Sequence, residues 1–230
     1  ICNIYTTVIR GTPMLVQLFI SGMNSALTPW MYSKIKKGDI RSMRKVLQLL
    51  SIVVVGIAVA LMLISPELVL IFGSPKYREA VYVIPPVAAS VFFIFIYNIL
   101  SMPQFYYEKT QFLMVASMAA AGANVVLNFI FIRLFGYIAA GYTTLACYML
   151  YSVGHYIVSK RILVNEGIQE NLMSPGFLLA CSVFLIGASI ICNLIFPYRI
   201  LRYAILLASA GLVFWKKELL LKTMADIRKK

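Results

Sequence analysis

Seven stretches of the chain, about residues 5–33, 46–65, 80–104, 112–134, 137–159, 177–197 and 200–215, are predominantly apolar. A helix rising 1.5 Å per residue needs roughly 20 such residues to cross a hydrocarbon core of about 30 Å. The stretches lack the alternating pattern of a barrel strand, and in lipid the backbone polar groups must be satisfied within the segment, so each is expected to be a helix. Composition points the same way: 61% of the 230 residues are hydrophobic and 13% are charged, with a mean hydropathy of +0.87. Too little polar side chain is present to cover a soluble surface. The expected fold is therefore all-α, a polytopic integral membrane bundle of about seven transmembrane helices.

The formal charge of +13 does not mark a nucleic-acid binder, because topology and not a single face distributes the cations. If the first helix ends in the cytoplasm, fifteen lysines and arginines fall on that side, most of them in "KIKKGDIRSMRK" (34–45) and "KKELLLKTMADIRKK" (216–230). Six fall opposite: Arg10, Lys76, Arg78, Arg133, Arg199 and Arg202. The positive-inside rule then places both basic segments and the C-terminus in the cytoplasm as topology anchors, with a membrane-lipid surface or regulatory site as the alternative reading. The chain opens Ile1-Cys2-Asn3 and enters a helix almost at once, so a missing N-terminal part is expected.

Connections are short: 34–45, 66–79, 106–111, 133–141, 160–176 and 196–199. None is large enough for a catalytic domain, and no nucleophile elbow, zinc-protease motif or glycine-rich phosphate loop occurs, so an enzyme is not expected. Cys2, Cys147, Cys181 and Cys192 are scattered without metal-ligand spacing, and neither a metal nor a cofactor is expected. His155 has no acid at helical spacing and reads as a packing residue in preference to a proton relay. All eight acids fall in expected loops or helix ends, leaving no intramembrane carboxylate for a coupling cation. In the 66–79 connection, "LVLIF" suggests a short interfacial helix. Pro85-Pro86 and Pro103 are expected to interrupt the third helix. Asn124 and Asn128, one turn apart, form a candidate interhelical polar pair.

One segment breaks the apolar rule. On a helix with Thr6 set at zero, Asn3, Thr6, Arg10, Gln17, Ser21, Asn24 and Thr28 all fall within an arc of about 60°. An arginine or asparagine at membrane depth costs several kcal/mol unless it reaches water or a partner. Two readings fit the stripe: a seam that joins this helix to a neighbour, or one wall of a solvated pathway. Seven polar residues in register, one of them a permanent cation, favour the pathway.

Three stretches give the chain a familiar order: "NSALTPWMYSKIKKGD" (24–39), "SPELVLIFGSPKYREA" (65–80) and "YEKTQFLMVASMAAAGANVVLNFIFIRLFGYIAAG" (107–141). It resembles the polysaccharide biosynthesis flippases, the O-antigen and capsular repeat-unit transporters of the multidrug/oligosaccharidyl-lipid/polysaccharide exporter superfamily. The resemblance implies the second lobe of a two-lobed transporter in the bacterial cytoplasmic membrane, residues 1–165, followed by a terminal helix pair and basic tail over 166–230. It implies a polyprenyl-diphosphate-linked oligosaccharide as cargo, the absent N-terminal lobe and polysaccharide assembly enzymes as partners, and alternating access as mechanism. Arg10 would then meet the diphosphate, and Gln17, Ser21, Asn24 and Thr28 the sugar hydroxyls. A drug or metabolite antiporter of the same superfamily and an integral-membrane polymerase are the alternatives; the first wants a buried acid and the second a large outer loop.

Overall fold

The computed structural model describes residues 20–72 and 81–215, which are helical with short connections and contain no strand. The helix over 20–36 is α1. It is followed by α2 (Ile40–Phe72), α3 (Ile84–Tyr106), α4 (Gln111–Phe135), α5 (Ala139–Asn165), α6 (Pro175–Ile195) and α7 (Arg199–Trp215). Four helical spans among the described residues, Ile40–Ile71, Val81–Tyr106, Gln111–Phe135 and Pro175–Ile195, are long and apolar enough to cross a membrane. The all-α membrane bundle read from the sequence is the observed fold.

Three local expectations change. The basic connection at 34–45 shrinks to residues 37–39, because Gly38 takes a left-handed φ of 68° and Asp39 starts the next helix. Asp39 accepts from Lys34 Nζ at 2.6 Å and from the Ser42 backbone N–H at 3.3 Å, so it caps α2. These bonds, that from Lys34 foremost, lower the pKa of its carboxyl from 3.8 to about 2.

The second change is that α2 continues through Pro66 to Phe72, so "LVLIF" is its last turn and a half and not a separate interfacial helix. Proline removes the N–H that would reach the Met62 carbonyl. The buried hydroxyl of Ser65 donates to that carbonyl at 2.7 Å and replaces the lost bond.

Third, Pro85 and Pro86 do not interrupt α3. They occupy its first helical positions, where an N–H would have no intrahelical acceptor. Pro103 alone lies inside the helix.

The core lies around α3. Phe92, Phe95, Ile96, Ile99 and Leu100 are almost fully buried, and the helix packs against α5, α2 and α6. Gly141 permits the close approach of α5: a Cβ there would stand 2.7 Å from Pro86 Cγ and 2.9 Å from the Val83 carbonyl oxygen. By contrast α4 packs on α5 and has no buried residue. Its apolar side chains, Met114, Met118 and Phe129 among them, form an outer face.

The end of the bundle that carries the basic residues is tied together by polar contacts. Arg44 Nε donates to the Asn171 carbonyl at 2.7 Å, and Lys109 pairs with Glu166 at 2.9 Å. These bonds gather the α1–α2, α3–α4 and α5–α6 connections on one side, as the charge asymmetry requires.

Candidate functional site: a polar cleft between the first and third helices

Ser21, Asn24 and Thr28 recur at three- and four-residue spacing and so share one face of α1. That face borders a cleft of about 350 Å³, to which α1 adds Ser25 and α3 contributes Tyr97 and Asn98. Among the described residues the lining is made of hydroxyls, amides and a phenol between two isoleucines, with no charged side chain.

Several of these groups are already committed. Ser25 donates to the Ser21 carbonyl at 3.0 Å, and Thr28 donates to the Asn24 carbonyl at 2.8 Å with its oxygen 3.6 Å from Met102 Sδ. Asn98 donates its amide to the Ile94 carbonyl at 2.7 Å. Hydroxyls that bond back to the preceding turn remain able to accept from a ligand or water. The Asn24 side-chain oxygen is buried without a hydrogen-bond partner among the described residues, which leaves one acceptor of the cleft unmet there.

Tyr97 joins the cleft to the core. Its ring lies parallel to that of Tyr148 with centroids 6.3 Å apart, and 4.7 Å from that of Tyr151. Behind it His155 is enclosed by Tyr97, Phe112 and Tyr151. It is fully buried and bonded to Gln104 Nε2. The cleft wall is thus backed by packed aromatic rings and does not rest on a loop.

Of the stripe residues, Ser21, Asn24 and Thr28 meet in this cleft, whereas Asn3, Thr6, Arg10 and Gln17 lie outside the described residues. Sequence reading missed Ser25, Tyr97 and Asn98. The signal for the last two was the polar pair inside "VFFIFIYNIL" (91–100), an otherwise wholly apolar run.

Asn124 and Asn128 stand elsewhere. Asn128 donates to Asn124 at 2.9 Å and accepts from Thr143, linking α4 to α5. Among the described residues no cluster of histidine, cysteine, aspartate or glutamate fits a metal ion, and Cys147, Cys181 and Cys192 are free thiols.

The acids require one correction. Glu67 lies within α2 and not in a loop, since that helix runs on to Phe72. It binds Arg202 of α7 through two parallel bonds of 3.0 Å and accepts from Tyr203 at 2.7 Å. Arg202, expected at the outer surface, is only 2% exposed and also donates to the Leu63 carbonyl at 2.9 Å. With both oxygens engaged, Glu67 is a structural anchor.

The chain matches the MatE family over residues 6–130, just over half its length. No curated protein and no solved structure matches it.

Proposed function

The chain belongs to the MatE family, membrane transporters of the multidrug/oligosaccharidyl-lipid/polysaccharide exporter superfamily, and from that premise we propose that it flips lipid-linked oligosaccharide. The cargo on this reading is a polyprenyl-diphosphate-linked repeat unit, moved by alternating access between this lobe and an N-terminal lobe of the same protein. The observation that carries the reading is the chemistry of the α1–α3 cleft. Ser21, Asn24, Ser25, Thr28 and Asn98 offer uncharged donors and acceptors beside the Tyr97 ring, and the Asn24 oxygen is unmatched.

Such a lining suits sugar hydroxyls, which need many neutral hydrogen bonds and an apolar ring face. A cationic drug wants a free carboxylate. The one acid inside a described apolar span, Glu67, is already bound to Arg202 and Tyr203. Arg10, whose sequence spacing continues the stripe but which lies outside the described residues, would supply the charge for a diphosphate in this reading, while the prenyl tail stays in lipid.

The test is complementation of a flippase-deficient strain with the full-length protein. Asn24→Ala combined with Asn98→Leu is expected to lower surface polysaccharide roughly tenfold at equal membrane abundance, in line with two lost polar contacts. Full restoration by that variant would remove the cleft from the pathway. Dye or drug efflux unaccompanied by polysaccharide would favour the antiporter.

A further inference from the structure

A second cleft opens at the end of the bundle away from the basic connections, and we propose that it binds the phosphate of an anionic membrane lipid. It encloses about 600 Å³ between the last turns of α2, the start of α3 and the start of α7. Arg202 forms part of its lining. The terminal nitrogens of that guanidinium are held by Glu67 and the Leu63 carbonyl, while Nε is buried without a partner among the described residues.

Glu67 balances the charge of Arg202. Arg199 lines the same cleft one turn earlier on α7, is exposed, and forms no ion pair among the described residues. Among the described residues of the cleft, one positive charge is therefore left uncompensated. The helix α7 begins here, with Arg199 as its first residue, whereas α3 opens with Pro85 and Pro86 and has few first-turn N–H groups to offer. First-turn N–H groups and an arginine together make the ordinary setting for a phosphate oxygen.

The walls say which kind of phosphate. Val69, Val81 and Phe196 are buried apolar residues that line the cleft beside the charged groups. Free phosphate gains nothing from them, whereas the glycerol and first methylenes of a lipid do. Depth agrees: Glu67 lies about 40 Å along α2 from Ile40, more than the roughly 30 Å of hydrocarbon, so with the basic end at one interface this cleft meets the other.

Native mass spectrometry of the full-length protein in neutral detergent tests the proposal, with phosphatidylglycerol and phosphatidylcholine offered separately. One phosphatidylglycerol is expected to be retained in preference to phosphatidylcholine. Arg199→Gln should weaken that retention about tenfold, the loss of one charge-assisted contact, and Arg199→Lys should keep most of it. Thermal stability in lipid-free detergent should be the same for all three proteins, since Arg199 takes no part in the Glu67 pair. Undiminished retention in Arg199→Gln would place the lipid at the basic end and overturn the proposal, as would equal retention of phosphatidylcholine. Displacement of the lipid by millimolar inorganic phosphate would make this a free-anion site and overturn the lipid assignment.

Discussion

Across the interface of α3 and α5, the side-chain nitrogen of Gln104 lies 2.8 Å from Nδ1 of His155, and both residues are fully buried. The other hydrogen of that amide goes to the Leu100 carbonyl at 3.3 Å, which fixes which way the amide faces. An amide nitrogen only donates, so Nδ1 accepts and the neutral ring carries its proton on Nε2. Gln104→Leu leaves Nδ1 buried without a donor and should destabilise the protein by about 1–3 kcal/mol. Adding His155→Phe removes the orphaned group and should recover part of the loss. Thermal unfolding in detergent of the two single variants and the double variant measures both effects.

Gly141→Ala should also destabilise, by about 1–3 kcal/mol, because the new methyl meets the Val83 backbone oxygen at 2.9 Å as well as Pro86. A backbone carbonyl at the start of α3 cannot turn aside as a side-chain tip can. Gly122→Ala is the matched control: nothing lies within 4 Å of its Cβ position, so removing a mid-helix glycine should be neutral or stabilise by up to about 1 kcal/mol. Unfolding midpoints that move together in the two variants would contradict the close approach of α5 to α3.

Ser65 and Pro66 form a compensated pair, and compensation predicts non-additivity. Ser65→Ala alone strips the Met62 carbonyl of its donor and should cost about 1–2 kcal/mol. In Ser65→Ala with Pro66→Ala the backbone N–H of residue 66 returns to that carbonyl. The double variant should therefore be more stable than Ser65→Ala, as a double-mutant cycle of unfolding free energies would show.

Asp39 gives the pH dependence its sign. Its folded-state pKa is lowered to about 2, first by the hydrogen bond from Lys34 and then by that from Ser42. The stability it contributes is complete above the unfolded value of 3.8 and disappears as pH falls through about 2. Asp39→Ala, which loses the cap, should cost about 1 kcal/mol at neutral pH. The difference in melting temperature between the two proteins should narrow between pH 4 and 2.

What the sequence disclosed and what it withheld have separate physical origins. Helix positions were legible because hydrocarbon imposes a local rule, an unbroken apolar run, on each segment by itself. The reach of α2 was not, because Pro66 looks like a breaker until Ser65 is seen to replace the missing bond. Likewise Pro85 and Pro86 are harmless only if α3 begins at Ile84, a register that composition does not fix. The stripe on α1 was visible as a period, and three of its residues meet in one cleft. Tyr97 and Asn98 were hidden because their place beside α1 depends on packing between segments about seventy residues apart, and Arg202 meets Glu67 across an even longer separation.

At 33 residues α2 is about 50 Å long, and it is gripped near both ends by parts of the chain that follow α5. Near its start Arg44 holds the Asn171 carbonyl, and near its finish Glu67 holds Arg202. A rod pinned at two points to one segment can neither slide along it nor pivot against it without breaking a polar clamp. On the proposed alternating-access reading, α6 and α7 would be ballast fastened to the moving half: when α2 tilts, the terminal helices would travel with it.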